Sequence, residues 1–194
     1  WSAYLPLLRR RDVHLLIGLR YMITSFWGMA TLLMPLLIYR VSHSDSMPFF
    51  YHSVSLAVAA CCQLLTGLLC DRYGRFWPLI VSALGIALSA LGLAMFWESL
   101  TSLFIFGTSL TGTAWAVSTL VPKLINDVAD PEEKNRLVGL GHMVWSAAMV
   151  TGSIVGGYLI EINPAIPFLT GACLAPGGTR CAWRLCRRLD SQGK

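Results

Sequence analysis

Runs of about twenty apolar residues constrain this chain more than any other feature of its sequence, because an α-helix of that length crosses the hydrocarbon core of a membrane. The clear runs lie at about 13–39, 50–69, 77–96, 100–122 and 138–160. The chain is 55% hydrophobic and 13% charged. Soluble domains are about a quarter charged, so the composition predicts an integral, multi-pass membrane protein.

The carboxy-terminal part of the chain departs from this pattern. A sixth apolar run, at about 164–176, is too short to cross a membrane, and Pro176-Gly177-Gly178 is expected to end it. Residues 177–194 then form a basic tail, which a truncation or a shifted reading frame would explain, and residues 1–12 form a short basic lead-in. We therefore predict an all-α membrane bundle over residues 13–176, with five clear transmembrane helices and a weak sixth.

The positive charges predict the topology of this bundle. All but two of the 15 lysines and arginines fall in the lead-in, the tail or the connections on one side; the exceptions are Arg20 and Arg40. Lysine and arginine concentrate in cytoplasmic loops, so both termini are predicted to be cytoplasmic, in a plasma or inner cell membrane. The lysines and arginines follow the membrane boundaries and do not form one basic face. No nucleic acid is therefore expected as a partner.

The connection between the second and third spans is the decapeptide GLLCDRYGRF, which begins at Gly67. Gly67 would let a neighbouring helix approach closely, and Gly74 can adopt the positive φ of a tight turn. Asp71 lies at a helix end, where it can pair with a base or with the positive end of another helix. Arg72 and Arg75 mark the cytoplasmic side.

This decapeptide resembles the loop motif of the major facilitator superfamily, Gly-x-Leu-x-Asp-Arg-x-Gly-Arg-(Arg/Lys), with Phe76 in place of the final base. The resemblance covers roughly residues 5–165. It implies secondary active transport of a small solute by alternating access between two six-helix bundles. This chain would be the amino-terminal bundle, a fragment or a truncated form, and its partners would be the lipid bilayer, the solute, and a missing carboxy-terminal bundle or a second copy. Asp71 and Arg75 would hold the cytoplasmic helix ends together as a gate.

The same resemblance implies that the first and fourth helices line the transport cavity. Candidate cavity residues on them are Arg20, Thr108, Thr111 and Trp115. A base within a span costs about 2.5–3.5 kcal/mol at the membrane centre, which indicates a functional role for Arg20; the alternative is that Arg20 snorkels to the nearby interface. For Trp115, the alternative to a place in the cavity is that its ring packs between helices. Thr108 stands where the family often has a proton-linked arginine, so that route of proton coupling is not indicated.

The fifth span carries small residues at helical spacing. Ala148, Gly152 and Gly156 repeat every four residues, with Gly157 beside them, and this pattern favours close helix contact. The segment is similar to the superfamily's antiporter motif, Gly-Pro-x-x-Gly-Gly, with Ser153 in place of the proline. An exchange role and a purely structural role both remain open.

The sequence indicates no enzyme. It contains no nucleophile–base pair, no phosphate-binding loop and no cluster with metal-ligand spacing, and its six cysteines lack the paired spacing of a zinc site. No cofactor and no metal are therefore expected. Two interpretations of function remain: half of a solute transporter, or a non-transporting membrane remnant or helix-packing partner of the same fold.

The predicted topology can be tested by cysteine labelling from outside the cell, in a background without the native cysteines. A cysteine at Ser44 should be modified and one at Tyr73 should not, because the two loops lie on opposite sides of the membrane. Labelling at Tyr73 with protection at Ser44 would reverse the topology.

Overall fold

The chain is described by a computed structural model over residues 4–191, with the side chains of residues 190 and 191 left aside. Residues 1–3 of the predicted lead-in and residues 192–194 of the predicted tail lie outside it. The described part consists of helices and short connections, without strands. The helices are α1 (Leu5–Arg9), α2 (Arg11–Ser42), α3 (Ser46–Tyr73), α4 (Phe76–Phe96), α5 (Leu100–Val128), α6 (Lys134–Ile162) and α7 (Ile166–Ser191).

Five of the described helices, α2 to α6, are long and apolar enough to cross a membrane. They contain the five predicted spans, which confirms the prediction of an all-α membrane bundle. The helices extend beyond the apolar runs because polar residues continue them outside the expected hydrocarbon core. At its carboxyl end, for example, α2 continues to Ser42 and stops where His43 adopts a left-handed conformation, with φ 52°.

The carboxy-terminal segment differs from the prediction, because α7 continues through Pro176-Gly177-Gly178 without a break. A proline inside a helix removes one hydrogen bond and usually kinks or ends the helix. Here the segment after the proline packs into the core, where Ala182, Leu185 and Leu189 are at most 1% exposed. Tertiary packing thus overrides the local signal. α7 is long enough to span a membrane. It contains several arginines, however, and it is not among the helices that are apolar enough to do so.

Close contact with α2 explains why two glycines are accommodated at this point in α7. A Cβ added at Gly178 would lie 3.2 Å from a side-chain carbon of Ile23, and one added at Gly177 would lie 2.9 Å from the sulfur of Met22. Gly177 and Gly178, which predict a helix break in the sequence, therefore permit close contact between α7 and α2 in the fold. Small residues have this role in membrane helix packing generally.

The bundle has a front face, formed by four helices, and a back layer. α2 packs chiefly against α6 and α7, α3 against α5, and α4 against α5 and α7. α2 and α5 also contact each other, and they lie between α6 on one side and α3 on the other. α4 and α7 cover the back. This arrangement leaves a groove along α2 and α5 that α3 and α6 flank.

The contact between α2 and α6 depends on small residues. A Cβ at Gly152 would collide with the backbone carbonyl group of Ser25, and one at Gly28 would lie 2.7 Å from the carbonyl oxygen of Met149. Gly156 lies against Met29 in the same way. Ala148 is fully buried. Gly157 faces open space, with nothing within 4 Å of an added Cβ, so the structure does not give it the packing position that the sequence suggested.

Gly152 and Gly157 therefore form a matched pair for testing the α2–α6 contact. Gly152→Leu should reduce the free energy of unfolding by about 1–3 kcal/mol, because the backbone of α2 cannot move aside as a flexible side chain could. Gly157→Leu should change it by no more than about 0.5 kcal/mol. Both substitutions make the same gain in helix propensity, so unfolding in mixed micelles isolates the contact. Equal losses would exclude a specific close approach at Gly152.

Candidate functional site

The groove between α2 and α5, here called the central groove, contains a chain of cavities. The cavity in its middle has a volume of about 290 Å³, and an outer cavity of about 160 Å³ lies beside α3. The two share Trp27 and Trp115. A third cavity, of about 380 Å³, shares Arg20, Ser118 and His142 with the middle one. Cavities that share lining residues thus follow the central groove from α3 to the start of α6.

The middle cavity is lined by three helices that each contribute polar and aromatic side chains. Its polar and aromatic lining residues are Arg20, Thr24 and Trp27 of α2, Trp115 and Ser118 of α5, and His142 and Trp145 of α6. Trp115 is 37% exposed and Trp145 is 38% exposed, so each tryptophan keeps part of its surface open to the groove. The cavity therefore combines one permanent charge with an unusually aromatic wall.

Arg20 faces this cavity, as one of the two sequence interpretations expects. Its Nη1 donates to Ser118 Oγ at 3.4 Å, which is a long hydrogen bond. Its Nε is buried and has no hydrogen-bond partner in the described part of the chain. Arg20 also belongs to no salt bridge found among the described residues, so the bond to Ser118 is the one polar contact found there for the guanidinium.

The other predicted cavity residues divide into two groups. Trp115 and Thr111 line the outer cavity together with Tyr51, although the Thr111 hydroxyl is bonded to the carbonyl of Gly107 at 2.9 Å. Thr108 lines none of these cavities. It lies one turn earlier on α5, and its hydroxyl donates to its own helix backbone. A threonine in an apolar helix commonly satisfies its hydroxyl in this way.

The end of the bundle that holds the α3–α4 and α5–α6 connections, here called the charged end, is tied together by two arginines. Arg10 donates to Glu133 at 2.8 Å, to Asp12 at 3.0 Å and to the carbonyl of Val128 at 2.7 Å. Burial by itself would lower the pKa of Arg10, but the hydrogen bond and charge of Asp12 together with the other acids raise it. Arg10 therefore stays charged and joins the start of α2 to the α5–α6 connection.

Arg75, from the decapeptide, makes the second tie. Its Nη1 donates to Asp127 Oδ2 at 2.6 Å, and both side chains are mostly buried, with 14% and 23% exposure. The short α3–α4 connection depends on Gly74, whose φ of 75° is the positive value expected from the sequence. This turn brings the start of α4, and with it Arg75, against the end of α5.

Cys70 of the decapeptide is buried in the core, whereas its remaining charged residues face away from the described chain. Asp71 and Arg72 are exposed, and the Arg72 guanidinium lies over the ring of its neighbour Tyr73, 5.3 Å from the ring centre. A Cβ at Gly67 would have no atom within 4 Å, so no described helix makes the close approach predicted at this position. Of the charged residues in the decapeptide, Arg75 is the one that joins helix ends within the described bundle.

Several residues of the groove escaped the sequence analysis. Trp27 and Thr24 follow Arg20 at seven and four residues, which places all three on one face of α2. That spacing could have identified them. Tyr51 and Arg10 had no comparable signal, because their positions depend on contacts between distant parts of the chain.

Comparison with known protein sequences identifies the family of this chain. A sequence profile described as the Major Facilitator Superfamily matches residues 14–189. The class C tetracycline resistance protein of Escherichia coli is 31% identical over 151 residues, which cover 76% of this chain and 37% of that protein. The class H tetracycline resistance protein of Pasteurella multocida is 30% identical over 149 residues, or 75% of this chain and 36% of that protein.

An uncharacterized MFS-type transporter of Methanocaldococcus jannaschii is 28% identical over 110 residues, which cover 56% of this chain and 27% of that protein. The matched part of the chain thus spans little more than a third of the first two relatives. These matches point to membrane transport and not to enzymatic catalysis.

The two arginines of the decapeptide provide a test of the charged end. Arg75→Gln should lower the free energy of unfolding by about 1–3 kcal/mol, because it leaves the Asp127 carboxylate without a charge-assisted hydrogen bond. Arg72→Gln, which removes the same charge three residues away, should change it by no more than about 0.5 kcal/mol. In a double-mutant cycle, Asp127→Asn should remove most of the effect of Arg75→Gln. Additive losses would contradict the pairing.

Proposed function

Because the chain belongs to the major facilitator superfamily, we propose that it works in secondary active transport of a small solute, as one bundle of an alternating-access transporter. In this mechanism the solute site lies between two bundles near the middle of the membrane, and the bundles rock about it. The chain would supply one wall of that site.

The observation that carries this proposal is the central groove. It is open along one face of the bundle, it has polar and aromatic side chains from three of the spanning helices, and α4 and α7 cover its opposite side. A cavity that is open on one face cannot enclose a solute by itself. The second wall would come from a further bundle or from a second copy of this chain.

The decapeptide suggests how the charged end takes part. Arg75 ties α4 to α5 within the bundle, whereas Asp71 and Gly67 face outward. In the proposed transporter, Asp71 holds a helix end of the facing bundle, and Gly67 leaves room for that helix. This division explains why neighbouring residues of one short motif have different surroundings.

Tetracycline is a reasonable first solute to test, because two of the similar proteins carry tetracycline resistance in their names. Residues 1–194 would be reconstituted in liposomes, with the oligomer mass measured in the same preparation. We expect no saturable flux from a monomer, because one bundle has no second wall. We expect flux from a dimer or from a longer product that carries a second bundle.

Asp71→Ala and Gly67→Leu supply the functional controls. Each should reduce flux in the competent form while insertion in the membrane is unchanged, because both act between bundles. Arg72→Gln is the matched exposed control and should transport like the parent. Saturable flux from a monomer would contradict the two-bundle mechanism. The absence of flux for tetracycline and for a panel of other solutes, in every oligomeric form, would favour a non-transporting remnant.

A further inference from the structure

The middle cavity has two chemically different sides. The side towards the charged end consists of Arg20, Ser118 and His142, which it shares with the third cavity. The opposite side consists of Trp27 and Trp115, which it shares with the outer cavity. Of the three cavities, only the middle one is lined by Trp145, on α6. A ligand that fills this space would meet a base at one end and flat aromatic surfaces along the rest of its length.

The permanently charged residues that line the cavities of the central groove are all basic. None of the residues that line its cavities is an aspartate or a glutamate, and the third cavity adds Lys134, at the start of α6, to Arg20. A base within a membrane helix is costly unless an anion or hydrogen-bond acceptors satisfy it. Apart from the long bond to Ser118, no described residue is found to bond the Arg20 side chain, and its buried Nε lacks a partner.

From this arrangement we propose that the central groove binds an organic anion with a flat, apolar body, the acidic group on Arg20 and the body among Trp27, Trp115 and Trp145. This proposal deepens the transport function and rests on it for its biological meaning. A guanidinium presents a planar fork of donors that matches a carboxylate. Tryptophan faces stack on flat apolar ligands, as they do on nucleic acid bases.

The basic third cavity gives the anion a route to this site. Its lining extends from Lys134 and Asn126, at the charged end, to Arg20, and includes no acidic side chain. The permanently charged side chains in this lining are Arg20 and Lys134. Cavities lined by one sign of charge raise the local concentration of the opposite ion, so the groove selects by charge before it selects by shape.

A binding experiment can separate the two parts of the site. The chain in lipid nanodiscs would be titrated with naphthoate, with uncharged naphthamide and with naphthylmethylammonium, and empty nanodiscs would correct for partition into lipid. The acid should bind at least about tenfold more tightly than the amide, because its charge is paired with Arg20 in a site of low polarity. The cation should bind most weakly.

Substitutions then assign each contribution. Arg20→Gln should abolish the preference for the acid, and Arg20→Lys should retain part of it, which keeps the test valid if the glutamine variant does not fold. Trp145→Leu should weaken the binding of naphthoate and of naphthamide by the same factor, so the preference for the acid should be preserved. Arg40→Gln removes a positive charge in the exposed part of α2 and should leave all three affinities unchanged.

The outcomes distinguish this proposal from the transport function, because binding is measured at equilibrium and needs no flux. Equal affinities for the three probes in the parent chain, or an acid preference that persists in Arg20→Gln, would overturn it. A further overturning result is that Arg20→Gln lowers thermal stability and leaves the three affinities unchanged, which would give Arg20 a structural role. Selective binding without flux would leave the site intact and refute transport alone.

Discussion

The architecture depends on how closely the backbone of α2 can approach its neighbours. Glycines place α6 and α7 directly against this helix: Gly152 and Gly28 at the α6 contact, Gly177 and Gly178 at the α7 contact. In lipid, helices gain little from burying apolar surface against one another, so close packing between small residues has to supply the association energy. α2 can therefore hold α6 and α7 and still present Arg20 to the groove.

The charged end complements this packing with ion pairs. Arg10 and Arg75 each join a connection or helix start to the end of α5, and each does so with hydrogen bonds of good length. These ties fix the helices at one end of the central groove. At the other end no comparable ion pair is found among the described residues, and Tyr51 packs there edge-on against Phe104. The ion pairs found among the described residues are thus concentrated at the end where the proposed solute route begins.

Local signals predicted much of the fold and less of the site. Apolar runs of membrane length gave the five spanning helices, and a glycine in a short loop gave the turn at Gly74 with its positive φ. The break expected at Pro176 did not occur, because packing against α2 and α4 outweighs a local preference that the sequence shows in isolation. Arg20 could be selected because charge is rare in a span. Its neighbours Ser118, His142 and Trp145 come from other helices, and only the fold decides which helix faces meet.

Because α2 and α5 run in opposite directions, the residues that line the central groove occur in opposite order along the two helices. Arg20 precedes Trp27 along α2, whereas Trp115 precedes Ser118 along α5, since the two helices run in opposite directions past the same cavity. α6 runs parallel to α2 and has the order of α2, with His142 before Trp145. The sequence pattern of the groove is therefore polar before aromatic in α2 and α6, and aromatic before polar in α5. A search for similar grooves in other sequences therefore has to reverse the order of polar and aromatic residues in the fourth span, which corresponds to α5.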